Sequence, residues 1–322
     1  MPFHCAREII EETLESAGEA GWLAEGKILT TEVVPKKPER PDKGASTIST
    51  GLKNLDRITG GLAPGELTVM AGFAGMGKTS LALNIAAHAA VDQGYPSAIF
   101  SLEAERGEIM ARLLASRAKV ALDNIYNSFI TDEAGWLAGT DRKALDSATA
   151  GLYAAPLYID DTPAHTAASI KAQLEAEKNA LDIKLVIIDC LQLIQPSSPE
   201  VSGQLGGLTG QPAGLAGGLR AIAKELNVPI VATYQLPHVW QEKKVMPHPS
   251  FLIKEGFTEA LDADMVIFIY RKSVCGTCKS PIEICKCWET HRAHVVAAKR
   301  GHASGAAEIV FISQFLRFED PA

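Results

Sequence analysis

The sequence predicts an α/β protein with a mainly parallel sheet that helices cover on both faces. From residue 47 onward, short apolar runs alternate with segments of helical length, an order typical of strands that alternate with helices. The apolar runs are continuous, as expected of strands buried on both faces. With 322 residues, 47% hydrophobic and 21% charged, the chain suits one large core.

The first 46 residues are predicted to be an appendage to this core, which would span residues 47–322. Residues 4–22 read as a short amphipathic helix with an apolar stripe, and prolines and charges make a linker of the following segment. A lone helix cannot bury such a stripe. It must therefore dock either on its own core or on a neighbouring subunit.

The elements of the core are predicted in a regular order. The strands are "ELTVMAG", "SAIFSLE", "LYIDD", "KLVIIDCLQLI" and "PIVATYQL". The helices between them are "KTSLALNIAAHAAVDQG", "EIMARLLASRAKV", "AASIKAQLEAEKNA" and "LAGGLRAIAKELN". Three further runs follow with little helix between them, which predicts closing strands at one sheet edge: "DADMVIFIYR", "AHVVAAKR" and "AAEIVFIS".

Two stretches are predicted to be irregular. Residues 196–214 are rich in Gly, Ser and Pro, and residues 237–257 also lack a regular pattern. Both follow the C-terminal ends of predicted strands, which is the side where open α/β sheets bind ligands. Long loops at this position are usually functional or disordered.

Charge and composition limit the classes of function. The formal charge of −7, from 31 basic and 38 acidic residues, gives no overall attraction to nucleic acid, so a polyanion site must be local. No uninterrupted apolar run is long enough for a membrane span, and the acidic N-terminal segment does not resemble a secretory signal. We therefore expect a cytoplasmic location.

The strongest motif is "GFAGMGKT" at residues 72–79, between a predicted strand and a predicted helix. Glycines let such a loop wrap phosphates with inward-pointing N–H groups, while the helix N-terminus adds positive potential. Lys78 is predicted to reach the β- and γ-phosphates of ATP, and the Thr79 hydroxyl to bind Mg²⁺. A simple glycine-rich turn is the ordinary alternative. The predicted nucleotide-binding set is Gly72, Gly75, Gly77, Lys78, Thr79 and Ser80.

Two acidic residues follow predicted strands. Asp189 ends an apolar strand, where P-loop proteins place a carboxylate that holds Mg²⁺. Glu103 ends "SAIFSLE", the predicted strand after the P-loop helix, and is a candidate to orient the water that attacks the γ-phosphate. The alternatives are a helix cap or turn former for Asp189, and a solvated strand end for Glu103.

Longer blocks make the chain similar to a known family. "STGLKNLDRITGGLAPGELTVMAGFAGMGKTSLALNIA", "FSLEAERGEIMARLLAS", "PLYIDD", "LVIIDCLQLI", "LRAIAKELNVPIVATYQL" and "DADMVIFIYR" together resemble the C-terminal motor domain of DnaB-type replicative DNA helicases. The resemblance covers roughly residues 47–320. It implies a RecA-like P-loop NTPase that forms a ring of six subunits, binds ATP between neighbours and moves on single-stranded DNA.

The resemblance also assigns roles by motif. Lys78 and Thr79 take the P-loop roles, Asp189 is the Mg²⁺ aspartate and Glu103 the catalytic glutamate. Gln235 is expected to sense the γ-phosphate. "AAKRGHASG" resembles the segment that donates an arginine finger to the neighbouring subunit's ATP, with Arg300 as the finger and Lys299 beside it. An ordinary surface arginine is the alternative for Arg300.

The segments expected to contact DNA depart from the family pattern. The candidate DNA-binding lysines are Lys243, Lys244 and Lys254, and Phe257 stands where the family has a small residue. The loop at 196–214 has no basic residue. The helical N-terminal domain of the family, which helps to build the ring and recruits primase, is expected to be absent, and residues 4–22 resemble its linker helix. Primase, a loader or another replication protein is an implied partner.

Four cysteines cluster in a basic segment near the end of the chain. Cys275, Cys278, Cys285 and Cys287 follow a C-x₂-C-x₆-C-x-C spacing within an apparent insertion at about 273–293. In a reducing compartment such a cluster favours one tetrahedral Zn²⁺ over disulfides. His291 or His294 could replace one thiolate. A redox thiol pair and unliganded cysteines are the alternatives.

These observations predict an ATP-driven DNA helicase motor. One alternative is a RecA-like repair or recombination ATPase that does not unwind processively. Another is a non-enzymatic module that uses ATP to assemble on a replication partner. The presence of Glu103, Gln235 and Arg300 argues against the last alternative, because a switch has less need of all three.

Overall fold

The structure is a computed structural model, and it describes residues 3–16, 47–130, 139–195, 205–206, 211–212, 214–237, 262–271, 292–299 and 305–321. The strands are β1 (His4–Cys5), β2 (Leu67–Gly72), β3 (Ser97–Ser101), β4 (Leu157–Asp160), β5 (Leu185–Asp189), β6 (Leu205–Gly206), β7 (Gln211–Pro212), β8 (Ile230–Gln235), β9 (Met265–Arg271), β10 (Arg292–Lys299), β11 (Gly305–Ile312) and β12 (Arg317–Glu319). The helices are α1 (Ala6–Ser16), α2 (Lys53–Thr59), α3 (Lys78–Ala87), α4 (Arg106–Ala118), α5 (Leu122–Ile130), α6 (Gly139–Ala154), α7 (Ala167–Leu181) and α8 (Leu215–Leu226).

Ten strands form one sheet in the order β1-β4-β3-β5-β8-β2-β9-β10-β11-β12. The six strands from β4 to β9 in this order are parallel to one another. Strands β10, β11 and β12 continue the sheet in antiparallel pairing beyond β9. The predicted parallel sheet and its closing strands are therefore confirmed.

Helices cover both faces of the sheet, as predicted. Successive side chains of β2 point to opposite faces: Met70 joins a core with α3, α4 and α6, whereas Val69 and Ala71 join a second core with α7 and α8. All six residues of β2 are buried. Burial on both sides explains the continuous apolar runs in the sequence.

The N-terminal segment packs on the edge of its own sheet. His4 and Cys5 pair with β4, and the apolar side chains of Ala6, Ile9 and Ile10 on α1 are buried in the core that includes α4 and α6. The structure thus corresponds to the first of the two docking alternatives, the chain's own core. Residues 17–22 of the predicted helix lie outside the described residues.

Several elements were not predicted from the sequence, namely β1, α2, α5, α6 and β12. In α6, the buried positions Leu145, Thr149 and Leu152 do follow helical spacing. Within the predicted irregular stretch at 196–214, β6 and β7 form a short antiparallel pair. Residues 238–257 of the other predicted irregular stretch are outside the described part. Among the described helices, none is long and apolar enough to cross a membrane.

Candidate nucleotide-binding site

The glycine-rich loop connects the C-terminal end of β2 to the first residue of α3. Glycine is required at two of its positions, at Gly77 for backbone conformation and at Gly72 for close packing. Gly77 has φ +91°, a left-handed conformation that side chains rarely adopt, and a Cβ there would lie 2.9 Å from the Phe318 ring. A Cβ on Gly72 would lie 2.9 Å from the carbonyl oxygen of Ile269. The loop therefore depends on glycine for both its backbone shape and its close packing.

Lys78 begins α3 and points its ammonium into the protein. The residue is only 9% exposed, and Nζ donates a hydrogen bond to the carbonyl oxygen of Phe73 at 3.0 Å. Burial lowers the pKa of this ammonium, while the charges of Asp189 and Glu103 oppose that shift. A buried ammonium has three N–H donors, so an anionic ligand would be strongly favoured here.

Asp189 ends β5 beside the same loop. It is buried, and Thr233 on the neighbouring strand β8 donates its hydroxyl hydrogen to Asp189 Oδ1. Ser101 of β3 is its partner in the sheet, and Glu103 follows two residues later. Because β3, β5 and β8 are parallel neighbours, their C-terminal ends bring both acidic residues to one edge of the sheet.

A cavity of about 320 Å³ lies at this edge. Most of the predicted nucleotide site lines it: Gly75, Gly77, Lys78, Thr79, Ser80, Glu103, Asp189 and Gln235. Gly72 is the last residue of β2, directly before the loop. The structure thus gathers these predicted residues around one space, and the roles assigned to them remain predictions.

Other cavity residues were missed by sequence reasoning: Arg112, Cys190, Thr233, Arg271, Phe311, Ser313 and Leu316. The Arg112 guanidinium is held by Glu108, one turn earlier on α4, with Nε 3.0 Å from Oε1. Burial raises the pKa of the Cys190 thiol to about 11, so it stays protonated at neutral pH. Four of them, Arg112, Cys190, Thr233 and Arg271, lie within the blocks that resemble the helicase family, but no role was assigned to them from the sequence.

Arg271 is the most unusual of them. Its guanidinium lies 4.9 Å from the centre of the Phe311 ring, a cation–π contact. Among the described residues, its buried Nε and Nη1 atoms have no hydrogen-bond partner. Burial lowers the pKa of this group. A guanidinium that is desolvated without an acceptor is costly, so a ligand with acceptor atoms in the cavity would relieve that cost.

Lys299 lies away from this cavity. It ends β10 opposite Met265, the first residue of β9, and Met265 pairs with Thr68 near the start of β2. The P-loop leaves the other end of β2. Lys299 therefore lies beside the N-terminal ends of the parallel strands, whereas the cavity of its own chain lies at their C-terminal ends. These two sides are the opposite edges of the sheet. Several predicted site residues are outside the described residues: Arg300, Lys243, Lys244, Lys254, Cys275, Cys278, Cys285 and Cys287.

The residues around the cavity fit ATP and Mg²⁺. The buried ammonium of Lys78 and the guanidinium of Arg271, two of whose nitrogens lack an acceptor among the described residues, suit phosphate and other acceptor atoms. The carboxylate of Asp189 and the Thr79 hydroxyl offer the oxygen ligands that Mg²⁺ prefers. A loop between a buried strand and a helix, with an acidic residue ending a nearby strand, defines a P-loop nucleotide-binding protein.

Comparison with known proteins gives the family within this class. The family described as DnaB-like helicase C terminal domain matches residues 47–320. The chain belongs to this family.

Curated relatives support the same assignment. The replicative DNA helicase DnaB of Leifsonia xyli subsp. xyli is 34% identical over 235 residues, which cover 72% of this chain and 48% of that protein. The DnaB helicase of Geobacillus stearothermophilus is 31% identical over 275 residues, covering 84% of this chain and 56% of that protein. The chain thus spans about half the length of these relatives.

Solved structures share the fold. One solved ATPase domain has a TM-score of 0.70 at 23% identity, and the match covers 87% of this chain and 94% of that chain. A DnaB-like replicative helicase studied with primase has a TM-score of 0.71 at 24% identity, covering 86% of this chain and 62% of that chain. The fold is therefore the RecA-like α/β fold.

Proposed function

We propose that the protein is the ATP-dependent motor of a replicative DNA helicase of DnaB type, which hydrolyses ATP at subunit interfaces to move on single-stranded DNA. One observation carries the proposal. The buried Lys78 ammonium, the carboxylates of Glu103 and Asp189, and Gln235 line a single cavity in a chain of the DnaB-like helicase family.

The P-loop would bind the phosphates. Lys78 is already desolvated and would contact the β- and γ-phosphates, with the N-terminal turn of α3 adding backbone N–H donors. Thr79 and Asp189 would hold Mg²⁺, which on binding neutralises phosphate charge. Arg271 and Phe311 form a flat cationic and aromatic wall of the same cavity, suited to the base or sugar of the nucleotide.

Glu103 and Gln235 would act at the γ-phosphate. A carboxylate at the end of β3 is suited to orient the attacking water and accept its proton. The side chain of Gln235, at the end of β8, would distinguish ATP from ADP by contacting the phosphate that differs. Both residues are supplied by strands whose C-terminal ends lie at the cavity.

Arg300 would complete the site of a neighbouring subunit. Its neighbour in the sequence, Lys299, lies at the sheet edge opposite its own cavity, which does not match a role of Arg300 at ATP bound by the same chain. Donation to the next subunit, as in the six-membered ring of the family, resolves this mismatch. An arginine there would neutralise charge on the transferred phosphoryl group.

Single-stranded DNA would be bound by the segments that follow the C-terminal ends of β5 and β8. Lys243, Lys244 and Lys254 are the candidate phosphate contacts, and such contacts make binding sensitive to salt. Primase or a loader would bind elsewhere on the ring. A helicase of similar fold is known in interaction with primase.

We further propose that the cysteine cluster holds a structural Zn²⁺. Four thiolates at C-x₂-C-x₆-C-x-C spacing match a tetrahedral site, and the surrounding lysines and arginines would present a basic surface to DNA or to a partner protein. Metal analysis of the purified protein should find one zinc per chain. Absence of zinc together with four reactive thiols would exclude the site.

The test of the main proposal is steady-state ATP hydrolysis at low salt with and without single-stranded DNA. We expect hydrolysis that DNA stimulates. The Glu103→Gln variant should retain ATP binding and lose hydrolysis, because the amide cannot accept the proton of the attacking water. Normal turnover in that variant would refute the assignment of Glu103.

The same experiments separate the alternatives. An ATPase that DNA stimulates but that does not unwind a forked duplex would be a RecA-like repair or recombination enzyme. Binding of ATP without hydrolysis, in wild-type protein with and without DNA, would identify a nucleotide-gated binding module. Unwinding of the fork with ATP supports the helicase.

A further inference from the structure

Strand β8 extends beyond its neighbour β5 at the edge of the nucleotide cavity. The ladder between them ends at Ile188 and Ala232, and β8 continues to Gln235. On its other side, β8 remains paired with β2, where Gln235 lies opposite Gly72 and the Leu236 N–H donates to the Gly72 carbonyl at 2.9 Å. Among the described strands, none therefore pairs with the Gln235 backbone groups that face β5.

The side chain of Gln192 takes the place of that missing strand. Gln192 lies in the 3₁₀ turn Leu191–Leu193, just after Asp189. Its amide Nε2 donates to the carbonyl oxygen of Gln235 at 2.6 Å, and its Oε1 accepts the Gln235 N–H at 2.9 Å. The amide thus forms both hydrogen bonds that an extended β5 would supply from two consecutive peptide groups.

We propose that Gln192 is a positioning residue for ATP hydrolysis, which locks the backbone of Gln235 so that its side chain meets the γ-phosphate. This inference rests on the proposed function. Gln192 joins Gln235 to the segment that carries Asp189, while the P-loop residue Gly72 holds the same part of β8 from the other side. In this way the Asp189 segment, the P-loop and Gln235 are held in a fixed geometry relative to one another. These are the groups proposed to contact Mg²⁺, the β-phosphate and the γ-phosphate.

The same turn leads out of the nucleotide site. Three residues after Gln192, the Gln195 N–H donates to the carbonyl of His165 at 2.7 Å, and the stretch at 196–214 begins directly afterwards. The turn that carries Gln192 is therefore held at both ends, by the bonds to Gln235 and by the bond of Gln195 to His165. Local backbone contacts of this kind can transmit a change only if their geometry is rigid.

Two variants test the role of the amide. Gln192→Glu keeps the shape but, when ionised, cannot donate to the Gln235 carbonyl, and Gln192→Met keeps the length without either hydrogen bond. All measurements are made without DNA, and Gln195→Glu is the matched control, because it introduces the same charge on an exposed side chain three residues away. Thermal unfolding of all variants verifies that they are folded.

Two measurements separate positioning from general support of the fold. The first is kcat for ATP hydrolysis, which we expect to fall about 10- to 100-fold in both Gln192 variants, since small misplacements of a reacting group have effects of this size. The second is the ratio of affinities for a non-hydrolysable ATP analogue and for ADP. We expect the Gln192 variants to lose the preference for the triphosphate while ADP affinity stays within about 2-fold.

The control should match wild type in both measurements. The proposal is overturned if both Gln192 variants keep wild-type kcat and the wild-type affinity ratio, or if ADP affinity falls as much as triphosphate affinity. If wild type does not hydrolyse ATP, the proposed function has failed instead. The affinity ratio still tests Gln192 in that case, because it requires binding alone.

Discussion

A single buried hydroxyl, that of Thr233, orients the carboxylate of Asp189. Thr233 is fully buried on β8, and its Oγ1 donates to Asp189 Oδ1 across the strand pair. This donor is neutral and fixes the orientation of the carboxylate, while the Lys78 ammonium interacts with the charge of Asp189. In the proposed Mg²⁺ site, the orientation of this carboxylate is therefore set before the ion binds.

Thr233→Val should weaken the response to Mg²⁺. Valine has nearly the same shape and removes the hydroxyl, and a hydrogen bond to a charged group contributes about 1.5–3 kcal/mol. We expect the Mg²⁺ concentration for half-maximal ATP hydrolysis to rise about 10-fold or more. Thr233→Ser retains the donor and serves as the control. An unchanged Mg²⁺ titration in the valine variant would exclude this role for Thr233.

At the scale of elements, α1 and β1 show how a short appendage gains stability from the core. Strand β1 adds two residues to the edge strand β4, and α1 then packs over α4 and α6. Polar contacts surround the apolar ones: Tyr153 donates to Glu11 at 2.8 Å, and Arg106 pairs with Glu12 at 3.2 Å. The exposed ion pair contributes little, so the buried isoleucines carry the docking.

Ile9→Ala should therefore destabilise the protein. Ile9 is 1% exposed, and truncation of a buried isoleucine to alanine typically costs about 2–5 kcal/mol. We expect a lower midpoint of thermal unfolding, measured at a protein concentration where the chain is monomeric. Glu12→Gln, on the exposed side of α1, should have a smaller effect. Equal midpoints for Ile9→Ala and wild type would mean that α1 does not pack on its own core in solution.

At the scale of the whole molecule, the sheet places predicted site residues at its opposite edges. Its parallel strands direct the P-loop, Glu103 and Asp189 to one edge, while the antiparallel return of β10 carries Lys299 to the opposite edge. In the proposed function, nucleotide binds at the first edge, and Arg300, which follows Lys299 in the sequence, acts at the site of the neighbouring subunit. Such an arrangement suits a ring in which each subunit completes the site of its neighbour.

Mixing two inactive variants tests this arrangement. Glu103→Gln and Arg300→Ala should each lack ATP hydrolysis, the first within its own site and the second at the neighbour's site. Subunits of both kinds, mixed and allowed to exchange, should regain activity, because some interfaces then combine intact Glu103 with intact Arg300. Each variant mixed with itself is the control. A mixture that remains inactive, although the subunits demonstrably exchange, would contradict donation of Arg300 between subunits.

The sequence by itself determined the features that depend on neighbouring residues. The spacing of Gly72, Gly77 and Lys78, and the apolar strands before Glu103 and Asp189, predicted the P-loop and the parallel sheet, because local periodicity and motif spacing are properties of short segments.

Only the tertiary structure decided which distant residues share the cavity. The sheet order places β9 next to β2 and β8 next to β5, and this order brings Arg271, Thr233 and Gln192 to the P-loop edge. These residues belong to three separate blocks of the sequence, and no single block shows that they lie together. Their proximity follows from strand pairing and packing of the whole sheet, which no short segment of the chain specifies.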